Sequence, residues 1–491
     1  MRRCGLIGEA TLRNRQGPLF EAVSDGDAPR YRQVYRQIRE AILERRLQPG
    51  ERLPSSRTFA AESAIARKTV EEAYAQLEGE GYIVRRAGSG SFVAEIASMQ
   101  RTRGTVKLAG RRALSKRGRA IAATTACVEP SIVRAFAAGL PALDAFPIEL
   151  WQRIVARHAR KIDEHALVYG DQAGLPALRE AIATYLSHAR GVRCDASQVV
   201  IVSSSQQALD LIARLTIDPD DEAWIENPAY PGARAALVAS GAKLVPVRVD
   251  DDGLDVAHGV ELAPRARLAY VTPSHQYPLG KTMSLERRLA LLEWARRADA
   301  WVIEDDYDSE FRYDGRPVPA IQGLDTAGRV IYVGTFTKVL YPSLRLAYLV
   351  LPPDLVESFV HARAQIDGHA PPFLQGVVAE FITEGHFGAH VRRMRALYRG
   401  RRDVFLDAAA KHLPMLEFPM LHAGLRATGF FRDGRDDRAA SRNAGHAGID
   451  APSLSSYYAG RGSSGLVLGY AGLPPDAIRK GARDLAKAIS R

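Results

Sequence analysis

Four short apolar segments, separated by stretches with helical patterning, constrain the fold of the larger part of this chain. They are "QVVIV", "RLAYVT", "AWVIEDD" and "RVIYVGTF", at residues 198–202, 267–272, 300–306 and 329–336. Apolar strands that alternate with helices are typical of a mostly parallel sheet covered on both faces. Ligands bind such sheets at the carboxyl ends of the strands. Functional side chains are therefore expected at the ends of these strands.

The length and composition limit the class of protein. A chain of 491 residues is too long for one hydrophobic core, so two or three domains are expected. The sequence has no apolar run of roughly 18 residues, as a membrane helix needs, and its N-terminus lacks the apolar core of a secretory signal. Cys4, Cys127 and Cys194 are too widely spaced for a disulfide framework or a metal site. The sequence therefore predicts a cytoplasmic protein without membrane association and without a metal.

The positive charge is concentrated in the front part of the chain. The formal net charge is +11, and residues 96–120 carry eight Lys or Arg and no acid. Residues 121–491 have no net charge. A neutral body joined to a basic front part suggests nucleic acid as a partner, with a solvated basic tail as the alternative on charge alone.

The front part has the element order of a winged helix-turn-helix. Apolar residues recur at helical spacing in three segments, and a Gly-rich turn over 85–90 separates two short strand-like segments. In such a domain the third helix enters the major groove of DNA. The predicted elements are helices over 32–46, 55–61 and 67–79 and strands over 82–84 and 91–93.

This region resembles the GntR family of bacterial regulators. The stretches "QPGERLPSSRTFAAES", "ARKTVEEAYAQLEGEGYI" and "RRAGSGSFVA" carry the resemblance, within a predicted DNA-binding domain over 16–95. It implies DNA contacts from the arginine after two serines, from the start of the third helix and from the glycine-rich wing. The residues at these positions are Arg57, Arg67, Lys68, Thr69 and Gly90.

The chemistry of these residues suggests different roles on DNA. Arg57 suits a bidentate contact with guanine, whereas the three residues that open the third helix suit phosphates. Gly90 lets the wing backbone approach the minor groove. One departure is Ala66, where the family usually has a serine, and the loss of that helix cap costs about 1 kcal/mol.

Residues 96–130 are predicted to form a basic, flexible linker. Basic, glycine and small residues dominate this stretch, and aromatic residues are absent from 96–127. A plain spacer and a tether that contacts DNA phosphates are both compatible with this composition.

Polar side chains follow two of the predicted strands in the larger part. One strand ends in Asp305-Asp306-Tyr307, and another leads to Lys338. A lysine at a strand end can form a Schiff base with an aldehyde cofactor, and a carboxylate can hold the proton of a pyridine nitrogen. Asp305 precedes Lys338 by 33 residues, about one strand–helix–strand unit, so the two are expected to be neighbours.

An anion site is predicted at the helix after the first strand. The motif "SSSQ" over 203–206 opens that helix, whose N-terminal N–H groups suit a phosphate. Hydroxyl groups and an arginine near Lys338 suit the same phosphate. These further residues are Thr335, Thr337 and Arg345.

Over 131–491 these motifs resemble class I aminotransferases of the fold-type I family, which binds pyridoxal 5′-phosphate (PLP). The resemblance implies that Lys338 is the Schiff-base lysine, Asp305 the pyridine partner and Tyr307 a hydrogen-bond partner of the 3-hydroxyl. It also implies that Tyr230, in "ENPAYPG", stacks on the ring. The phosphate ligands by matching motif are Ser205, Gln206, Thr335, Thr337 and Arg345.

The combination of the two parts resembles the MocR subfamily of GntR regulators. "TPSHQYPLGKTM", "IEDDYDSEFRYDG", "GTFTKVLYPSLRLAYLVLP" and "LVLGYAGL" carry this resemblance. It implies a multidomain chain: an α+β winged helix and an α/β aminotransferase-like body. The body would sense PLP, or an amino compound that reacts with it, and so control binding to a double-stranded DNA operator. A head-to-tail homodimer is also implied.

The sequence departs from the pattern of active aminotransferases. The asparagine of their "NPTG"-like turn is Tyr277 here, and the glycine of their phosphate loop is Ser204. "LVLGYAGL" lacks the late arginine that clamps a substrate carboxylate; Arg426 and Arg461 are nearby but match no motif. The sequence therefore favours cofactor binding with at most vestigial transamination. The alternatives are an active aminotransferase with a fused autoregulatory DNA-binding domain and a repressor whose PLP site is a vestige.

Overall fold

The computed structural model describes residues 28–95, 114–124, 133–314 and 318–490. Two compact units divide the chain between Arg112 and Ala113. The predicted linker is described only over 114–124, and the predicted first domain only from residue 28.

The first unit consists of three helices and an antiparallel hairpin, as predicted. The Ser55 hydroxyl caps the second helix by accepting the Thr58 N–H at 3.1 Å. The third helix begins after Ala66 without a side-chain cap, as the sequence suggests. The elements are α1 (Arg30–Leu43), α2 (Ser56–Glu62), α3 (Arg67–Gly79), β1 (Ile83–Arg86) and β2 (Gly90–Val93).

The hairpin is longer than the sequence suggests. Arg85 and Arg86, predicted to lie in the turn, pair with Ser91 and Gly90 and belong to β1. The φ angle of Gly90 is +108°, a conformation that favours glycine, so the strand can start directly at the turn. The predicted turn over 85–90 is therefore too long, because strand pairing continues to the tip.

One face of each helix in the first unit forms its core. Apolar side chains three or four residues apart meet there, and the hairpin closes the core from one side. Because these side chains fix the inward faces, the opposite face of α3 is exposed. The residues include Val34, Ile38, Phe59, Val70, Tyr74, Leu77, Ile83 and Val93, each at most 3% exposed.

The second unit contains an eight-stranded sheet, a three-stranded sheet and twelve α-helices among its described residues. The strands are β3 (Val199–Val202), β4 (Glu222–Asn227), β5 (Lys243–Asp250), β6 (Gly253–Leu254), β7 (Leu268–Val271), β8 (Trp301–Asp306), β9 (Val330–Thr335), β10 (Ala347–Val350), β11 (Leu416–Glu417), β12 (Arg426–Phe431) and β13 (Gly465–Gly469).

The helices of the second unit begin in the predicted linker. They are α4 (Lys116–Ala123), α5 (Ile148–Ala159), α6 (Pro176–Arg190), α7 (Ser205–Thr216), α8 (Pro231–Ser240), α9 (Val256–Leu262), α10 (Leu285–Ala298), α11 (Val356–Asp367), α12 (Pro372–Thr383), α13 (His386–His412), α14 (Asp437–His446) and α15 (Pro475–Ile489).

The large sheet is mostly parallel, which confirms the predicted fold class. Its strand order is β3-β10-β9-β8-β7-β4-β5-β6. β4, β5, β7, β8 and β9 pair in parallel, whereas β10 is antiparallel to both of its neighbours. The smaller sheet is antiparallel, in the order β11-β12-β13.

Helices cover both faces of the large sheet. Val200 and Val202 of β3 pack in one hydrophobic cluster with α7 and α8. Val199 and Ile201, which point to the opposite face, pack in another cluster with α6 and α12. Burial on both faces explains why β3 is apolar throughout.

The pairing of β8 with β9 positions the predicted site. The two strands are parallel neighbours, and Asp305 is opposite Val333 in register. Their carboxyl ends therefore lie at the same edge of the sheet. Asp305 and the loop after Thr335 are brought together at this edge.

Candidate cofactor site and DNA-binding surface

Asp305 is a buried carboxylate that lacks one hydrogen-bond donor. Its Oδ2 accepts from the Tyr270 hydroxyl at 2.8 Å, and its Oδ1 is buried without a partner among the described residues. Burial raises the pKa of Asp305 to about 7, although the Tyr270 hydrogen bond and the charge of Lys338 lower it. A cationic N–H group at Oδ1 would favour the charged form of this carboxylate.

The two neighbouring carboxylates are engaged elsewhere. Asp306 Oδ2 accepts from Arg190 Nε at 2.8 Å, and Asp308 Oδ2 lies 2.9 Å from His275 Nδ1. Of the three aspartates at this strand end, Asp305 is the one whose side chain is bound by a single hydroxyl group, with neither an arginine nor a histidine as a hydrogen-bond partner among the described residues.

Lys338 lies in the same region as Asp305. The two side chains interact electrostatically, and Gly139 lies close to the lysine. A Cβ at Gly139 would be 3.1 Å from Lys338 Nζ, and this glycine has a φ angle of +80°. Glycine therefore leaves space at the lysine amine that most side chains would fill.

A group of tyrosines lies around this edge of the sheet. The Tyr307 hydroxyl donates to the His275 carbonyl oxygen at 2.6 Å and accepts from Arg426 Nη2 at 2.5 Å. The ring of Tyr277 contacts Tyr230 edge-on at 5.3 Å between centroids and contacts Tyr307 at 6.1 Å. Tyr277 thus lies between the two tyrosines that the sequence assigns to the cofactor.

The start of α7 supplies free backbone donors. Ser204 is the N-cap, and its hydroxyl accepts the Gln207 N–H at 3.1 Å. Ser205 and Gln206 occupy the first turn, where N–H groups have no intrahelical acceptor. The Gln206 amide donates to the Gly232 carbonyl at 2.9 Å. A Cβ at Gly232 would collide with the side chains of Gln206 and Tyr230, so glycine permits this close approach.

The remaining predicted phosphate ligands lie at the end of β9 and in the loop that follows. The Thr335 hydroxyl oxygen accepts the Thr337 N–H at 3.2 Å, and both threonines are buried. Arg345 is exposed and has a φ angle of +53°, which is uncommon for a residue with a side chain.

Two buried features escaped the sequence analysis. One is the contact between His275 and Asp308, which lie in the separate motifs "TPSHQYPLGKTM" and "IEDDYDSEFRYDG" and to which the resemblance assigns no role. The other is the position of Arg426, which begins β12 and is buried against Tyr307. An arginine in the otherwise apolar segment "LRATGFF" is the sequence signal that points to it.

In the first unit, the predicted DNA-contacting residues lie on its surface. Arg57, Lys68 and Gly90 are exposed, and Thr69 is half-buried. Arg67 is exposed but paired: its Nη2 lies 3.4 Å from Glu71 Oε1, and its Nε donates to Ser56. Unlike Arg67, Arg57 and Lys68 have no carboxylate partner among the described residues.

Two further properties of the described residues bear on other functions. None of the described helices combines the length and apolar character needed to cross a membrane. Within the same residues, His, Cys, Asp and Glu side chains do not gather in groups of three that could hold a metal ion.

Two family models match the chain. Residues 136–424 match the aminotransferase class I and II family. Residues 30–93 match the family described as bacterial regulatory proteins, gntR family. The matched ranges lie in the second and first unit, respectively.

Known proteins with both parts are similar over almost the whole chain. The "Probable rhizopine catabolism regulatory protein MocR" of Rhizobium meliloti is 42% identical over 95% of this chain and 94% of its own. The pyridoxine biosynthesis transcriptional regulator PdxR of Corynebacterium glutamicum is 29% identical over 93% and 95%.

A solved structure resembles the body. It is the α-aminoadipate aminotransferase LysN of Thermus thermophilus, in complex with N-(5′-phosphopyridoxyl)-L-leucine. The TM-score is 0.71 at 29% identity, with 77% of this chain and 97% of LysN covered.

Proposed function

Because the chain belongs to the MocR subfamily of GntR-family regulators, with a class I and II aminotransferase body, we propose that it is a PLP-dependent transcriptional regulator. Residues 16–95 would form the domain that binds a DNA operator, and residues 131–491 would form the body that holds PLP. Residues 96–130 would link the two. The body would sense PLP, or an amino compound that reacts with it, and change the affinity for the operator. The observation that carries the proposal is that one chain combines an exposed, basic start of α3 with a lysine, Lys338, near the buried carboxylate of Asp305.

The groups around Lys338 and Asp305 fit PLP. When bound, PLP supplies an aldehyde that exchanges one amine for another. Lys338 would provide the amine of the resting state, in the space left by Gly139. Asp305 Oδ1, which lacks a donor, would hold the proton of the pyridine nitrogen. Tyr307 would hydrogen-bond the 3-hydroxyl, and Tyr230 would stack on the ring.

The phosphate would lie at the start of α7. Backbone N–H groups in the first turn of a helix and the positive end of its dipole bind phosphate favourably. The hydroxyls and the exposed arginine after β9 would complete its coordination. The proposed ligands are Ser205, Gln206, Thr335, Thr337 and Arg345.

On DNA, the exposed residues of α2, α3 and the wing would make the contacts. Arg57 would read guanine, because its side chain is exposed and has no carboxylate partner among the described residues. Lys68 and Thr69 would hold phosphates. Arg67, which is paired with Glu71, would also hold a phosphate. Gly90 would bring the wing backbone to the minor groove.

We further propose a head-to-tail homodimer. Leu167, Val168 and Tyr169 are adjacent and are 76%, 65% and 93% exposed, a concentration of apolar surface that isolated monomers seldom carry. A second copy of the chain is the partner that would cover this strip. Two winged helices would then match two operator half-sites.

The test has two parts on one purified protein. Borohydride treatment and mass spectrometry measure whether PLP is attached to Lys338. Selection from random DNA, followed by anisotropy titration, measures whether a defined sequence is preferred. Attachment at Lys338 together with sequence-specific binding supports the proposal, and the absence of either contradicts it. Turnover with an amino donor and a keto acid would instead favour an active aminotransferase.

A further inference from the structure

Arg426 has fewer partners than its burial would require. Its side chain is 2% exposed. Among the described residues it makes one hydrogen bond, from Nη2 to Tyr307, and its Nε is buried without a partner. The nearest carboxylate oxygen, Asp308 Oδ2, is 3.9 Å from Nη1 and lies only 2.9 Å from the His275 ring. Among the described residues, this guanidinium therefore has no oxyanion within hydrogen-bond distance.

Two other buried arginines of the same unit, Arg190 and Arg288, are fully paired, whereas Arg363 and Arg401 also have buried nitrogen atoms without a hydrogen-bond partner among the described residues. Arg190 donates from all three nitrogen atoms at 2.8 Å, with one bond to Asp306. Arg288 donates from all three to backbone carbonyl oxygens at 2.7–3.0 Å. Arg426 differs from Arg190 and Arg288, because only its Nη2 donates a hydrogen bond to another described residue.

The surroundings of Arg426 keep it charged and place two tyrosine rings next to it. Burial lowers the pKa of its guanidinium, but Tyr307, Tyr277 and Asp308 outweigh burial and raise that pKa above its usual value. The guanidinium carbon lies 4.1 Å from the centroid of the Tyr277 ring and 5.1 Å from that of Tyr307. The two rings are inclined to each other by 74°, so they cannot both lie parallel to the guanidinium. Tyr307 engages one N–H group through its hydroxyl, and the other N–H groups are left for an anion.

We infer that Arg426 binds an oxyanion, either carboxylate or sulfonate, of the amino effector. The inference rests on the proposed function, which places the effector's amine at the aldehyde of PLP near Lys338. Tyr307 connects the two ends, since it contacts Arg426 and is proposed to bind the PLP 3-hydroxyl, which is on the ring carbon next to the aldehyde. An effector with both groups would extend from the aldehyde to Arg426.

Arg426 on β12 can replace an arginine that is missing from the neighbouring strand. Active aminotransferases place a carboxylate-binding arginine in the segment that is "LVLGYAGL" here, and this chain has none in that segment. β13 is apolar and buried, and its Gly469 is the residue opposite Arg426 in the strand register. The anchor has thus moved from one strand to the adjacent one, so the effector need not have the shape of an aminotransferase substrate.

The test compares amines with and without an oxyanion. The probes are glycine, β-alanine, 4-aminobutyrate and taurine, each against an n-alkylamine of matched length. Binding to the PLP-loaded protein is followed by calorimetry and by the cofactor absorbance. The best oxyanionic probe should bind about 10- to 100-fold more tightly than its alkylamine. Arg426→Gln should reduce that preference to about threefold or less, and Arg426→Lys should retain part of it.

The matched control is Arg432→Gln, which changes an exposed arginine near the end of the same strand. It should keep the full preference. A wild-type protein that binds no oxyanionic probe more tightly than its alkylamine overturns the inference. The same conclusion follows if Arg426→Gln retains the preference, even where the variant melts earlier or loads less PLP, because Arg426 would then serve only packing.

A cofactor-independent measurement separates this inference from the proposed function. If borohydride traps no PLP on the wild type, the proposed function fails. The apoprotein is then heated with β-alanine or propylamine at equal ionic strength. Greater stabilisation by β-alanine, absent in Arg426→Gln, supports oxyanion binding at Arg426. Equal stabilisation by both compounds contradicts it.

Discussion

In the winged-helix unit Arg57 and Lys68 are exposed to solvent, whereas in the body Asp305 and Arg426 are buried and short of partners. Exposed cations have little effect on the fold and act through contacts that salt screens. Buried charged groups influence stability and are sensitive to pH, so the partners they lack point to a ligand. We therefore expect the chain to bind DNA through exposed groups of the first unit and a small molecule through buried groups of the second.

The largest effect is expected from the lysine of the buried site. Lys338→Ala should abolish covalent attachment of PLP, because no other amine is proposed to reach the aldehyde. Borohydride trapping with mass spectrometry measures this loss, and circular dichroism should show an unchanged fold. Cofactor trapped on the variant at the wild-type level would remove Lys338 from the account.

The second prediction concerns the pH dependence of the apoprotein. The pKa of Asp305 is about 7 when folded and about 3.9 when unfolded, so the folded state holds this proton more tightly. Stability from this group is therefore complete below about pH 4 and is lost as the pH rises to about 7. For each pKa unit by which the folded and unfolded states differ, the free energy of unfolding changes by about 1.4 kcal/mol across the titration.

Asp305→Asn removes this titration. Urea unfolding at several pH values should show the variant gaining stability relative to the wild type from about pH 4 to about pH 7, then staying level. Glu304, whose pKa is also raised to about 7 by burial, titrates in both proteins and cancels in the difference. The pKa of Glu226 is raised to about 7 mainly by burial and in part by the charge of Asp305, so the substitution lowers it and changes the difference in the same direction. If the difference in unfolding free energy between the two proteins did not vary with pH, ionisation of Asp305 would not destabilise the folded state, and the prediction would be wrong. With PLP present the variant should bind the cofactor more weakly.

On the exposed side, Arg57→Ala should weaken specific DNA binding by about 1–3 kcal/mol, the range for a bidentate guanine contact. Binding to random DNA should change less. Arg46→Ala, an exposed arginine paired with Glu44, is the control and should leave both affinities near wild type. Equal losses on specific and random DNA would reassign Arg57 to a phosphate.

How much of this was predictable differs between the two regions. The bounds of α3, from Arg67 to Gly79, follow from helical periodicity, which is a local property. The edge that joins Asp305 to Lys338 also follows, because parallel strands align their carboxyl ends. The pairing of Arg426 with Tyr307 does not follow, since it brings the first residue of β12 to the residue after β8, which is 119 positions earlier in the chain. Local sequence patterns also could not predict that β10 lies between β3 and β9 and is antiparallel to both.

The smallest effect is expected at the uncapped start of α3. Ala66→Ser should stabilise the first unit by about 1 kcal/mol, because a serine hydroxyl would accept an N–H group that now has no side-chain cap. Ser55→Ala should lower stability by a similar amount by removing the cap of α2. Thermal unfolding of the isolated first unit measures both changes. No gain from the serine would mean that solvent already satisfies the helix start.

The central claim is that the buried site controls the exposed one. The direct measurement is the affinity of the full chain for its selected operator, with and without PLP, in the wild type and in Lys338→Ala. We expect PLP to change the operator affinity of the wild type at least several-fold and to leave that of the variant unchanged. Equal operator affinity in all four samples, with a panel of amino compounds also without effect, would contradict it.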